Sequence, residues 1–283
     1  MGGAMARRLL DTSHELIVWN RSAAAAERMI DRGARRAASP EEAIGADVVI
    51  SMLADDAALR DVWIRSGLAE RASSAVHLNM TTASLGMARE LAELHRRSGT
   101  GYVAAPVFGR PEMAAQGQLD IVAAGPPDAL GRCEPLFATL GRRWFNVGTE
   151  AHQANVVKIA RNLVLATVIE GLGEAFALVR TCGGSAEKFL DIITSTSMNA
   201  PAYKDYGRRI LDSPREPTFP LHLGLKDVEL ALAAARDTGL TLDNAELIGR
   251  FHRAAIDAGY ADKDWADLGN WIIEHARRRA PMQ

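Results

Sequence analysis

The first half of the chain alternates between two hydrophobic periods, and that alternation limits its fold more than any other feature. From residue 3 to about 155, ELIVWN (15–20), ADVVISML (46–53), AVHLNM (75–80), GYVAAPV (101–107) and LDIVAAG (119–125) read as strands. Between them, AAAAERMIDRG (23–33), DAALRDVW (56–63) and SLGMARELAELHRRSG (84–99) read as helices, with Gly33 and Gly99 in C-cap positions. Strands separated by helices predict right-handed crossovers and an α/β, Rossmann-like, doubly wound parallel sheet.

After about residue 150 the strand signal stops. NVVKIARNLVLATVIEGLGEAFALVRTCGG (155–184) reads as one long helix ended by Gly183 and Gly184, with Val156, Ile159, Leu163, Thr167, Ala160 and Val164 at three- and four-residue steps. Further helices are expected at 185–195, 200–212, 224–238, 243–258 and 264–279, with the Pro-rich link DSPREPTFP between the second and third. The expected domains are therefore 1–153, a cofactor-binding α/β domain, and 154–283, an all-helical domain for substrate and dimerisation.

Composition narrows the partners. A formal net charge of −2 and a pI near 6.4 give no basic face for nucleic acid. Apolar runs such as VVISMLA are shorter than a membrane span, and the N-terminus lacks a signal-peptide apolar region, so a cytoplasmic protein with no membrane partner is expected. The two cysteines, Cys133 and Cys182, and seven scattered histidines show no metal-ligand spacing, so no metal site is expected.

In a doubly wound fold a dinucleotide lies at the C-terminal ends of the strands, with its pyrophosphate on the first helix N-terminus. Here Gly2 and Gly3 open that helix, Met1 and Gly2 are the expected cofactor contacts, and Met5, Leu9 and Leu10 give it an apolar face. The next strand ends in WNRS rather than the acidic residue that binds the NAD ribose. Asn20, Arg21 and Ser22 suit a 2'-phosphate, so NADP(H) is the expected cofactor. The strand ends SMLADD (51–56) and NMTTAS (79–84) bring Met52, Leu53 and Thr81 to the expected nicotinamide side, with Asp55 or Asp56 and Thr82 as helix caps. On the long helix, Lys158 and Asn162 stand four residues apart on one face, where a lysine could exchange a proton with a carbonyl or hydroxyl oxygen during hydride transfer.

The spaced motifs MGGAMARRLL, VWNRS, VVISMLADD, NMTTAS, AAPVFGRPEMAAQGQLDIVAAG, KIARN, GLKDVELAL and GYADKDWADL, in this order over essentially the whole chain, resemble the β-hydroxyacid dehydrogenase family. That family includes 3-hydroxyisobutyrate dehydrogenase and glyoxylate/succinic semialdehyde reductase. The resemblance implies NADP(H)-dependent interconversion of a small aldehyde or keto acid with its hydroxy acid, and assembly as a homodimer or homotetramer. It implies that Lys158 is the catalytic lysine, that Asn162 helps hold substrate, and that Lys226 approaches substrate and cofactor. Asp227 and Asp264 are implied to be structural or to border the site.

One departure stands in the substrate loop. Where the family has Asp-Ala-Pro-Val-Ser-Gly-Gly, this chain reads Ala104, Ala105, Pro106, Val107, Phe108, Gly109, Arg110. The serine hydroxyl is gone, Phe108 makes the loop more apolar, and backbone N–H groups of 108–110 with Arg110 remain to hold a carboxylate. The family also places a short strand and a Gly-x-Gly-x-Met loop ahead of GGAMARRLL. The resemblance therefore predicts either ~10 further residues upstream or weak NADPH binding by this chain. The competing readings are an imine reductase, against which Lys158 argues, and a non-catalytic NADP-binding protein.

Overall fold

The structure is a computed structural model that describes residues 1–72, 75–213 and 216–276. The chain divides into two compact units, Met1–Lys158 and Ile159–Gln283, with the division inside one long helix.

The first unit follows the alternation in sequence. It comprises α1 (Gly2–Asp11), β1 (Ile17–Val18), α2 (Ala23–Ile30), β2 (Arg35–Arg36), β3 (Val48–Ser51), α3 (Asp56–Leu59), α4 (Leu68–Arg71), β4 (Val76–Asn79), α5 (Leu85–Arg97) and β5 (Gly101–Ala104). Then come β6 (Val107–Phe108), α6 (Pro111–Ala115), β7 (Leu119–Ala123), α7 (Pro127–Leu140) and β8 (Gly141–Asn146). The helix expected at 56–63 is α3 continued by a wide-turn segment, Arg60–Arg65. Gly33 (φ 102°) and Gly99 (φ 70°) take the left-handed conformation expected after their helices.

The parallel pairings are as expected, but the sheet is interrupted. β1 pairs only with β2, while β3, β4 and β5 form a second parallel ladder in that order. A cavity of about 880 Å³ is lined by residues 16–20 around β1, by 48–53 around β3 and by the first turns of α1. Facing it are residues that are apolar and only half-buried, Ile17, Val18, Val48, Val49 and Ile50, whereas every residue of β4 is buried. The run expected as one strand over 101–107 breaks at Ala105-Pro106, because proline donates no ladder hydrogen bond. β6 resumes at Val107 and pairs antiparallel with β7.

Two elements of this unit carry weak sequence signals. α7 contains Gly131 and Pro135, which disturb its period, and β8 reads GRRWFN. β8 is held by its ladder to β7 and by Arg142 and Arg143, each 2.7 Å from the Asp120 carboxylate. That pairing draws the Asp120 pKa down to about 2, through its hydrogen bonds to the two guanidinium groups. Asp55 caps α3 by accepting from Ala58 N, as expected. The cap of α5 is Ser84 rather than Thr82, and Ser84 N donates in turn to Asp56.

The long helix α8 runs His152–Thr181. Its buried side is only in part the stripe expected from spacing: Ile159 is buried and Leu163 and Thr167 are half-buried, but Val156 and Val164 are 41% and 65% exposed, and Leu165, Ala166, Ile169, Leu172 and Phe176 make up the rest of the buried side. By length and composition alone α8 is long and apolar enough to cross a membrane, a test that the core helix of a globular unit also passes. Half of its most apolar window is buried, and in the second unit it forms the core with Leu190, Ile210, Val228, Ile248 and Trp265.

The second unit is helical throughout its described residues: α9 (Ala186–Ser195), α10 (Pro201–Asp212), α11 (Leu221–Thr238), α12 (Asp243–Ala255) with a wide-turn extension Ile256–Tyr260, and α13 (Asp267–His275). Part of the Pro-rich link, 214–215, and the expected end of the last helix, 277–279, lie outside the described residues. Gly224 and Gly269 allow close helix crossings, since a Cβ would stand 2.2 Å from the Trp265 indole and 2.7 Å from Ile210 respectively.

Candidate functional site

In the first unit the strand ends and α1 bring several expected residues together. Met1, Gly2, Asn20, Met52 and Leu53 all line the cavity beside β1 and β3. The N-terminus of α1 has no side-chain cap, so its first N–H groups are free of side-chain partners, the condition an anion there requires. Asn20 Nδ2 donates to Ser22 O at 2.9 Å and shapes the turn, leaving Arg21 and Ser22 exposed on it. Thr81 is placed differently. It is buried, and its hydroxyl accepts from Leu53 N at 2.9 Å, so it joins the two strand-end loops. These residues fit the adenosine and pyrophosphate parts of a dinucleotide: an uncapped helix end, a neutral-to-basic turn and a flanking cavity.

The loop after β5 meets the start of α8. Lys158 is 9% exposed, and its Nζ donates to Val107 O at 2.8 Å and lies 5.0 Å from the centre of the Phe108 ring. Gly109 takes φ 133°, and a Cβ there would stand 2.8 Å from Leu119, so this position requires glycine. Arg110 is half-buried and precedes α6 as its N-cap residue. Val107, Phe108 and Lys158 are thus brought together by the antiparallel turn into β7.

One turn further along α8, in the second unit, Asn162 is 4% exposed and donates from Nδ2 to Asp227 Oδ2 at 2.6 Å. Asp227 sits on α11 beside Lys226, whose Nζ is 3.6 Å from Asp227 Oδ1. The buried Asp227 carboxylate therefore fixes which way the Asn162 amide faces, and its Oδ1 accepts from Arg161 Nη1 at 3.2 Å. Asp264, 1% exposed, accepts from Thr218 N and Oγ1 and from Ala266 N, a structural role.

One residue on this face was missed from sequence. Asn155 is 1% exposed, donates from Nδ2 to Ala83 O at 3.1 Å, and keeps its Oδ1 buried with no hydrogen-bond partner. It ties α8 to the loop that carries Thr81. Its place three residues before Lys158 and seven before Asn162 puts all three on one helix face, a signal present in the sequence. Among the described residues no group of His, Cys, Asp and Glu side chains could hold a metal ion.

A nucleotide-binding α/β unit joined to a helical unit through a lysine-bearing helix defines a class, the dinucleotide-dependent dehydrogenases. Residues 1–148 match the NAD-binding domain of 6-phosphogluconate dehydrogenase, and residues 153–272 match the NAD-binding domain of NADP-dependent 3-hydroxyisobutyrate dehydrogenase. The chain belongs to the β-hydroxyacid dehydrogenase family of oxidoreductases and contains NAD(P)-binding domains. It is 38% identical to an uncharacterized oxidoreductase of Bacillus subtilis, covering 95% of each chain. It is 30% identical to an NAD-dependent L-serine dehydrogenase of Pseudomonas aeruginosa, covering 94% of this chain and 92% of that one. The structure of a Mycobacterium tuberculosis 3-hydroxyisobutyrate dehydrogenase with L-serine superposes with a TM-score of 0.86 at 26% identity, covering 95% of this chain and 94% of the other.

Proposed function

We propose that the protein is an NADP(H)-dependent reductase of small carbonyl compounds, reversible as a hydroxy acid dehydrogenase, with Lys158 as the proton donor and acceptor. The observation that carries this reading is the placement of Lys158, a buried side chain whose Nζ is held at 2.8 Å by the Val107 main-chain carbonyl in the loop that carries Phe108. Its Nζ donates to Val107 O, and an ammonium carries three N–H groups with which to meet a main-chain carbonyl and a substrate oxygen. Asn162, oriented by Asp227 on the same helix face, supplies an acceptor for a hydroxyl. When bound, the dihydronicotinamide supplies a hydride to a carbonyl carbon. Lys158 supplies the proton to the oxygen, giving the alcohol. Preference for NADP(H) is supported by Arg21, exposed on a turn that carries no carboxylate.

The test is NADPH oxidation with succinic semialdehyde, glyoxylate and cyclic imines. Lys158→Ala is expected to lower kcat by about 10²–10⁴-fold while NADPH binding, followed by fluorescence, persists. Arg21→Ala is expected to raise the Kd for NADPH roughly 10–100-fold and to leave NADH binding unchanged, as loss of hydrogen bonds to a charged phosphate predicts. Tight NADPH binding without turnover on the whole panel would replace this reading with a non-catalytic one. Turnover confined to imines and indifferent to Lys158 would replace it with imine reduction.

A further inference from the structure

We propose that Phe108 sets the substrate class, favouring carbonyl compounds with an alkyl or aryl group on the carbonyl carbon over those with a carboxylate there. The inference rests on the reading of Lys158 as the proton donor and adds what the site selects.

A substrate oxygen that takes a proton from Lys158 must lie within hydrogen-bond distance of Nζ, about 2.8 Å, which puts the carbonyl carbon roughly 3.5–4 Å away. The Phe108 ring centre is 5.0 Å from the same nitrogen. Phe108 is half-buried, and it is anchored on both sides: Val107 before it is in the ladder to β7, and Gly109 after it has no room for a side chain. For a carbonyl compound bound on the ring's side of Nζ, the ring is therefore a wall within van der Waals reach of what the carbonyl carbon carries.

Two physical effects then act in one direction. An alkyl or aryl substituent against the ring loses water-exposed apolar surface. A carboxylate pressed on the ring loses hydration and meets the negative face of the aromatic π-system, so the N–H groups of 108–110 and Arg110 can serve a carboxylate only where it stands clear of the ring. The ammonium of Lys158 is already turned towards Val107 O, and its cation–π contact with Phe108 keeps ring and amine together. A carboxylate separated from the carbonyl by methylene groups avoids the conflict, because the apolar spacer lies on the ring.

The experiment compares the wild type with Phe108→Ser and Phe108→Leu, using NADPH with phenylacetaldehyde, butanal, succinic semialdehyde and glyoxylate. The wild type is expected to favour phenylacetaldehyde and butanal over glyoxylate in kcat/KM by at least about tenfold, the scale of one or two methylene contacts. Phe108→Ser is expected to reduce that ratio by tenfold or more, with Phe108→Leu in between. Circular dichroism and NADPH binding check that each variant is folded. A wild-type preference for glyoxylate, or a ratio unmoved in folded Phe108→Ser, overturns the proposal while leaving the role of Lys158 intact. If no carbonyl compound turns over, the reductase reading fails by itself. Calorimetric titration of 2-phenylethanol against glycolate in the presence of NADP then reads the selectivity of Phe108 directly, and equal affinities overturn it.

Discussion

At the scale of single residues, the buried histidines make a prediction about acid stability. In the first unit His95 Nδ1 faces Leu91 O, so it carries the proton and leaves Nε2 as acceptor for His77 Nδ1–H. His77 Nε2 then accepts from Ser51 Oγ–H, and Ser51 Oγ accepts from Trp63 Nε1–H. In the second unit His252 is held likewise, donating from Nδ1 to Ile248 O and accepting at Nε2 from Trp265 Nε1–H. Each ring has one defined tautomer, and a second proton would face another donor. Burial accordingly pushes His95 and His252 down to about 4, and His77 well below its ordinary value, where the neighbouring His95 adds to the effect. Between pH 6.5 and about 4 the unfolded chain takes up protons at these sites that the folded chain refuses. Their contribution to stability is present above pH 6.5 and is lost as pH falls, by about 1.4 kcal/mol per pH unit for each histidine. Urea unfolding at pH 7.5 and 5.0 should show this, and His252→Gln should remove one proton's share of the slope in that window. A slope unchanged in that variant would show that His252 is protonated in the folded state.

At the scale of elements, the interrupted sheet is the most informative feature. Leu16 and Val18 carbonyls accept from Arg35 and Ala37, so the alternation of a strand turns the N–H and C=O of Ile17 towards the opposite edge. On β3, Asp47 and Ser51 carbonyls serve β4, which turns Val48 and Ile50 outward in the same way. Both outward edges border the 880 Å³ cavity, where they present the apolar residues Ile17, Val18, Val48, Val49 and Ile50. Gly2 lies beside Met52, just past the C-terminal end of β3, where a Cβ on the glycine would stand 3.6 Å from the methionine side chain. A parallel strand between β1 and β3 would therefore end beside Met1 and lead into α1 as a right-handed crossover. Fusing a strand-forming apolar hexapeptide and a Gly-x-Gly linker ahead of Met1 is expected to raise Tm by several degrees over a Gly-Ser fusion of equal length. It should also protect the Ile17, Val48 and Ile50 amides from hydrogen exchange. Equal exchange in the two fusions would show that the cavity does not accept a strand.

At the scale of the whole molecule, the second unit leaves an apolar face in solvent. Val164 and Leu178 on α8 are 65% and 66% exposed, and Ile192 on α9 is 62% exposed. Val164, Gly171 and Leu178 fall seven residues apart, the spacing of a helix seam, and a Cβ on Gly171 would meet nothing within 4 Å. The homodimer or homotetramer expected from the family resemblance is proposed to use this face. Light scattering on Val164→Asp combined with Leu178→Asp is expected to give a smaller mass than the wild type. An unchanged oligomer would place the interface elsewhere, and a monomeric wild type would remove the need for one.

Much of the architecture was legible in local pattern. Alternating periods gave the parallel pairings and the change to helices near residue 150, and Gly33, Gly99 and Gly183 marked helix ends because few other residues adopt their backbone angles. α7 and β8 were not legible, since Gly131 and Pro135 blur one period and two adjacent arginines disguise the other, which only pairing with Asp120 resolves. The buried face of α8 was partly misread because valines at three- and four-residue steps look alike whether they meet a core or solvent. The sequence by itself determined the family, the two-unit order and the residue types offered for chemistry, through patterns that act within a few turns of chain. Tertiary structure alone decided that Lys158 reaches across 51 positions to Val107 and that Asp227 orients Asn162 across 65. Hydrogen bonds between groups so distant in sequence follow from packing, which no local period encodes.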